Sequence, residues 1–281
     1  MGWFEALIAG VIQGITEFLP ISSSGHLVIY GTLVNTEEGA SLWFTVFLHL
    51  ATLLAVIFVY RRDVWMLIRE LIGAIADLFR RKPAFKTAER RYLLMVIIAT
   101  IPAVLAGGAV KVLELDAMLE SIFIVAVMLL VTAVFMFLVD RFGEVKLTAA
   151  DVDAVYGKAL FVGILQAVAI LPGLSRSGST IFAGVISGFG KEFAVRFAFI
   201  LSIPAILGAS LVEMRGVMKT GEMGADSLAL AIGFAAAFLC GILAIRIIRL
   251  LIDNNKFYIF GIYCLAASAF AFMIGFGVVN C

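Results

Sequence analysis

Charge is what this 281-residue chain lacks first: Asp, Glu, Lys and Arg make up 15% of it, and 21 basic against 20 acidic side chains leave a net charge of +1. Binding a nucleic-acid backbone needs a basic surface, so no nucleic-acid partner is expected. Cysteine is equally scarce. Cys240, Cys264 and Cys281 are the three present. They have no metal-ligand spacing and the first two fall in apolar stretches, so neither a disulfide framework nor a zinc site is implied, and they read as packing residues. The first ten residues contain no Lys or Arg, and no small-residue cleavage signature follows, so no removable leader is expected. The chain has apolar residues instead: 63% hydrophobic, with 24 Phe and a mean hydropathy of +1.11, where a soluble domain holds roughly 45–50%. It is a multi-pass protein of the cell membrane, and its Met- and Phe-rich faces are lipid contacts.

A bilayer core of about 30 Å asks for roughly 20 apolar residues in a helix. Six stretches qualify: Leu42 to Tyr60, Tyr92 to Val112, Leu119 to Val139, Phe193 to Leu211, Ser227 to Ile248 and Phe257 to Val278. Two more, Trp3 to Leu33 and Tyr156 to Gly190, are interrupted by a Pro and a Ser/Gly-rich turn. Backbone freed in that way survives in a membrane only where protein or water satisfies it. Each interrupted stretch therefore reads as a re-entrant helical hairpin. From Arg61 to Arg91 the basic residues Arg61, Arg62, Arg69, Arg80, Arg81, Lys82, Lys86, Arg90 and Arg91 outnumber the acids, which makes this loop cytoplasmic by the positive-inside rule. Val64, Leu67, Ile68, Leu71, Ile72, Ile75 and Leu78 recur in it at helical spacing and predict an amphipathic helix on the inner leaflet.

Counting spans from that loop puts the first hairpin on the outer side and the second on the inner side, so the halves are inverted. At an offset of 153, Ala6 to Gly25 repeats in Ala159 to Gly178 at Ala6, Leu7, Gly10, Gln13, Ser22, Ser24 and Gly25. The expected fold is an all-α membrane protein, one polytopic domain over 1–281, with repeat 1 at about 1–140 and repeat 2 at about 156–279. Each repeat is one re-entrant hairpin plus three transmembrane helices, with a site at the repeat interface near mid-bilayer.

Polar groups in an apolar segment are expensive, which makes the hairpin tips the candidate site. The first tip carries Gln13, Glu17, Ser22, Ser23, Ser24 and His26; the second carries Ser175, Arg176, Ser177, Ser179 and Thr180. Inversion turns the tips toward each other. A guanidinium, hydroxyls and Gly-freed amides are the equipment that grips phosphoryl oxygens. Gln13 and Glu17, at i and i+4, share a helix face. Glu17 can coordinate a divalent cation or carry a proton; His26 can activate the Ser23 hydroxyl or attack phosphorus itself. The plainer readings are that the serines satisfy backbone ends, that Arg176 pairs with Glu17, and that His49 is a hydrogen-bonded packing residue. Inverted repeats with broken helices also serve alternating access, which makes a transporter or flippase of an anionic lipid the rival. A transporter, however, needs no nucleophile beside a base.

The Gln13-x-x-x-Glu17 pair, the Pro-Ile-Ser-Ser-Ser-Gly-His run from Pro20 and above all Pro172-Gly-Leu-Ser-Arg-Ser-Gly-Ser-Thr180 resemble the undecaprenyl-diphosphate phosphatase family of the bacitracin-resistance type. The resemblance covers essentially the whole chain, with Gln at position 13 as the variant holding one carboxylate fewer. It implies hydrolysis of a polyprenyl diphosphate to the monophosphate and inorganic phosphate, which recycles the carrier lipid of envelope glycan assembly and confers bacitracin resistance. It implies catalytic roles for Glu17, Ser23, His26 and Arg176, with Ser23 or His26 as nucleophile, and substrate-binding roles for Gln13, Ser22, Ser24, Ser175, Ser177 and Thr180. It further implies a divalent cation, Mg or Ca, with Glu17 as the metal ligand, and a site opening to the outer face. The expected partners are the polyprenyl diphosphate, the bilayer and, as an open alternative, a second copy in a homodimer.

Overall fold

Proline and the Ser/Gly turns decide where the helices break. The structure, a computed structural model, describes residues 2–34, 42–81, 87–113, 121–142, 155–220, 227–252 and 255–278. Leu119, Lys82, Lys86 and Cys281, named above, lie outside the described residues. Among those described, the regular elements are helices: α1 (Trp3–Phe18), α2 (Ser23–Val34), α3 (Leu42–Val59), α4 (Arg61–Phe79), α5 (Ala88–Val112), α6 (Ile122–Phe142), α7 (Tyr156–Val168), α8 (Arg176–Ile186), α9 (Lys191–Thr220), α10 (Ser227–Ile252) and α11 (Tyr258–Gly275).

Helices α5, α6, α9, α10 and α11 are each long and apolar enough to cross a membrane. A sixth candidate is α3, which the chain leaves through an 89° bend into α4. The fourth expected span, Phe193 to Leu211, is longer in the structure: α9 runs on to Thr220. An apolar window stops short of Glu213, but the helix passes through it, and that carboxylate meets His49 of α3 at 3.4 Å. The arms of the two broken stretches, α1 with α2 and α7 with α8, are 16, 12, 13 and 11 residues long. Each falls short of the roughly 20 residues a crossing needs.

Helix α4 is the amphipathic segment. It keeps Trp65, Ile68, Leu71, Ile72, Ile75 and Leu78 exposed on one side, the face such a helix lays on acyl chains. Its other side is clipped to the start of α5 by Arg90, which donates to Glu70 at 3.0 Å and Asp77 at 2.5 Å.

Around the tips the helices pair crosswise. Helix α1 lies along α10, α7 along α5, α3 against α9, and α6 against α11. Small residues bring the backbones together. A Cβ on Gly10 would stand 2.4 Å from the Gly233 carbonyl oxygen, and one on Gly163 2.4 Å from that of Ala99. Gly10 and Gly163 are counterparts in the 153-residue offset, so both interrupted stretches use the same small residue for the same close approach. The apolar core that follows is continuous from Phe18 and Val56 through Phe199 and Ile245.

The second tip is held by Gly173. Its φ is +92°, and a Cβ there would lie 2.4 Å from the Val125 carbonyl oxygen of α6. Gly173→Ala meets both obstacles and should cost on the order of 1–3 kcal/mol or more. It is expected to lower the unfolding temperature in detergent by several degrees. Gly108→Ala, on α5 with nothing within 4 Å of the added carbon, should leave it unchanged or raise it slightly.

Candidate active site

Both tips are built on one local device. Ser22 and Ser175 each precede a helix, and each hydroxyl accepts the backbone N–H three residues on: Gly25 N–H at 3.2 Å and Gly178 N–H at 3.1 Å. Each also shares a hydrogen bond with the next serine but one, Ser24 at 3.3 Å and Ser177 at 3.1 Å. The repeated Ser-x-Ser-Gly is therefore a helix cap used twice. Capping is costlier at the first tip, where Ser22 takes φ +70°, a left-handed conformation that a non-glycine residue rarely adopts.

The caps let the tips meet. A Cβ on Gly25 would lie 3.0 Å from the Gly173 Cα, and one on Gly178 3.3 Å from the Pro20 side chain. The Ser177 hydroxyl donates across to the Leu19 carbonyl at 3.2 Å. Thr132 of α6 pins the second tip, accepting the Ser175 N–H at 3.0 Å while its own hydroxyl lies 3.2 Å from the Gly173 carbonyl.

In this junction Gln13, Glu17, Ser23 and Arg176 form one group. Glu17, with 3% of its side chain exposed, accepts from Arg176 Nη2 at 3.2 Å through Oε1. Its Oε2 accepts from Ser23 Oγ at 2.9 Å and from Gln13 Nε2 at 3.1 Å. One carboxylate thus bridges the two halves of the chain and holds a serine hydroxyl by its proton. Among the side chains bonded to it, Gln13 keeps Oε1 and Arg176 keeps Nη1 buried without a protein partner; Ser179 Oγ and both amide atoms of Gln166, the repeat counterpart of Gln13, are in the same condition. An unpaired buried polar atom costs about 1–3 kcal/mol, and oxygen and nitrogen atoms left in that condition mark where a polar ligand would complete the network.

The histidine is placed differently from the sequence reading, which set His26 beside the Ser23 hydroxyl. Ser23 donates to Glu17 instead. His26 Nδ1 lies 2.7 Å from the Ser22 carbonyl and Nε2 2.6 Å from the Tyr263 hydroxyl. A carbonyl only accepts, so Nδ1 carries the proton and neutral Nε2 accepts the Tyr263 O–H. The rings of His26 and Tyr263 are near parallel, 9° apart. Residues three apart share a helix face, yet Ser23, the first residue of α2, reaches back to Glu17 of α1 while His26 reaches Tyr263 of α11. Thr180 is also turned inward: its hydroxyl donates to the carbonyls of Arg176 at 2.9 Å and Ser177 at 3.1 Å.

Sequence reasoning missed Tyr263, Thr132 and Glu213. A tyrosine in an apolar span needs a partner for its hydroxyl, and a glutamate well inside a 30-residue membrane helix is expensive unless paired. Both signals were present in the sequence. His49, bonded to Glu213, also interacts electrostatically with Glu17 and Arg176, so the tip group carries a second acid–base pair behind it. Among the described residues no three His, Cys, Asp or Glu side chains converge as a metal site.

Residues 6–270 match the family described as Bacitracin resistance protein BacA. The undecaprenyl-diphosphatase of Alkaliphilus metalliredigens is 40% identical over 265 residues, 94% of this chain and 95% of that one. That of Methanobrevibacter smithii is 39% identical over 278 residues, 97% and 98% of the two chains. That of Korarchaeum cryptofilum is 35% identical over 260 residues, 92% and 94%.

The His26 tautomer is open to direct measurement. In a nitrogen-15 histidine spectrum of the purified protein, Nδ1 is expected protonated and Nε2 bare. Tyr263→Phe should move the Nε2 resonance toward that of an unbonded nitrogen while leaving Nδ1 in place.

Proposed function

The chain belongs to the bacitracin resistance protein BacA family, and from that premise we propose a membrane phosphatase that converts undecaprenyl diphosphate to the monophosphate and inorganic phosphate. The enzyme recycles the carrier lipid of cell-wall synthesis and so confers bacitracin resistance. The observation that carries the reading is the bridging carboxylate: Glu17 holds Arg176 at 3.2 Å and Ser23 Oγ at 2.9 Å, a phosphate-gripping cation and a hydroxyl nucleophile on one base.

We assign the steps as follows. Arg176 Nη1, free of protein partners, takes the terminal phosphoryl group. Ser23 Oγ attacks that phosphorus in line and passes its proton to Glu17. The bond between phosphorus and the bridging oxygen breaks, and undecaprenyl phosphate leaves with the electron pair and takes up the proton held by Glu17. Water, deprotonated by the restored Glu17 carboxylate, then cleaves the phosphoseryl bond, Glu17 returns the proton to Ser23 Oγ as that oxygen leaves, and inorganic phosphate is released. Arg176 and the capped N-terminus of α8 stabilise the charge gathering on the phosphoryl oxygens. His26, held in one tautomer by Ser22 and Tyr263, fixes the first tip against α11 and lies outside this proton path. Of the two nucleophiles open to the sequence reading, this geometry favours Ser23. Ser22, Ser24, Ser175, Ser177 and Thr180 position the tips through their caps and carbonyl bonds.

A divalent cation fits the donor chemistry. Glu17, Ser23 and the unpartnered Gln13 Oε1 are all oxygen donors, and one carboxylate completed by substrate phosphate oxygens is a common arrangement for Mg. Bound there, it would offset the charge of the diphosphate. The crosswise pairing of α1 with α10 and α7 with α5, together with the duplicated serine cap, supports two inverted repeats. The excess of basic residues around α4 supports a cytoplasmic location for that face and a site opening on the opposite one. The transporter alternative lacks support from the relatives, whose names describe a phosphatase, and leaves the Ser23–Glu17 pair without a use.

Phosphate release from undecaprenyl diphosphate by the purified protein tests the reading. Arg176→Ala and Ser23→Ala are expected to lower kcat by about 100-fold to 1,000-fold or more, the scale of losing a charge-stabilising donor or the nucleophile, and Glu17→Gln should do the same. Chelator should suppress wild-type turnover and added Mg or Ca restore it. Wild-type rates from a correctly inserted Ser23→Ala would remove serine from the mechanism.

A further inference from the structure

At the far end of α3 from its opening turn, away from the tips, the molecule has a second charged cavity, of about 490 Å³. It opens where α3 bends by 89° into α4, between α9 and α10. Arg61, Arg62, Arg196 and Arg249 line it, against Asp63 and Glu192, an excess of two positive charges. Arg196 is tied to Asp63, so the excess rests on Arg61, Arg62 and Arg249. Two of these are preset. Arg249 lies over the Tyr60 ring, 4.6 Å from its centre, and Arg61 over Phe58 at 5.6 Å. A guanidinium held against an aromatic face has less freedom to lose when its fork meets an oxyanion.

The start of α4 supplies an independent reason to expect an anion. Its N-cap, Tyr60, contributes no side-chain hydrogen bond, and the first two helical residues are Arg61 and Arg62. Cations at a helix N-terminus oppose the macrodipole and weaken the helix end. An anion in the cavity would relieve both the repulsion and the lack of a capping acceptor. The depth points to the same ligand: α4 keeps its apolar side exposed from Trp65 to Leu78, so its first turn sits at the level of lipid headgroups.

We propose that this cavity is a second phosphate site, separate from the catalytic tips, which receives the phosphate of an anionic lipid headgroup or a free phosphate ion on the α4 face. From Tyr60 back to His49 along α3 is eleven residues, roughly 16 Å of helix, so a phosphate here is out of reach of Ser23. The proposal does not depend on the phosphatase reading.

Native mass spectrometry of the full chain tests it. The protein is released from phosphatidylcholine nanodiscs doped with phosphatidic acid, with and without millimolar inorganic phosphate. Wild type and Arg176→Gln should both retain phosphatidic acid over phosphatidylcholine. Arg62→Gln with Arg249→Gln should lower that retention at least fivefold, and Arg62→Gln alone by an intermediate amount. Arg69→Gln with Arg80→Gln, basic residues of the same region outside the cavity, should retain it like wild type. Phosphatidic acid displaced by free phosphate makes the phosphate group itself the ligand; retention unaffected by free phosphate makes it the lipid headgroup. An unfolding temperature in detergent unchanged from wild type in the cavity variants reports an intact fold. Equal losses in the Arg69/Arg80 pair, or unchanged retention in both Arg62→Gln variants, would overturn the proposal.

Discussion

The ion pair between Glu17 and Arg176 is the constraint around which the structure is organised. Each charge alone would be prohibitive among apolar helices, and removing one partner of such a buried pair costs about 3–5 kcal/mol. The partners stand 159 positions apart, one on each interrupted stretch. For them to meet, both stretches must break between their two arms, both breaks must satisfy their own backbone, and nothing bulky can intervene between the tips. The duplicated serine caps provide the second condition. Gly25 against Gly173 and Gly178 against Pro20 provide the third.

That organisation explains why the crossing helices are packed on small residues. An arm of 11 to 16 residues is too short to reach both membrane surfaces, so its position depends on the helix it lies against. Gly10 on Gly233 and Gly163 on Ala99 bring backbones into contact, where dispersion forces and the absence of rotamer entropy hold the arms without large side chains. The rigidity this confers reaches the chemistry, since Ser23 and Arg176 start the helices that meet at the tips, and α8 is buried from Ser177 to Val185.

Much of this was legible in the sequence because the relevant physics is local. Pro and Ser/Gly turns announce the breaks, apolar run length announces the spans, and an i, i+4 pair announces that Gln13 reaches Glu17. The sequence reading stopped where contact is a matter of rotation about a helix axis. Ser23 and His26 are three residues apart, yet one turns to Glu17 and the other to Tyr263, 237 positions away. Apolar window length likewise ended α9 too early, because the partner that makes Glu213 tolerable, His49, comes from another helix. The hydroxyls at Ser22, Ser175 and Thr180 were visible as candidates for a ligand, but distinguishing a cap from a contact needed coordinates.

Gln13 bears on how the site manages charge. With glutamine at that position, Glu17 and Arg176 cancel, and the amide donates to the carboxylate at 3.1 Å rather than repelling it. A second carboxylate there would leave the resting site with a net negative charge, stable only with a proton or a cation already in place. In this chain the junction pairs one carboxylate with one guanidinium. The imbalance arrives with the diphosphate, whose charges exceed what one guanidinium and a helix N-terminus can offset. A cation proposed for this site would be recruited with the substrate, and Gln13 Oε1, buried without a protein partner, is an oxygen donor available to it.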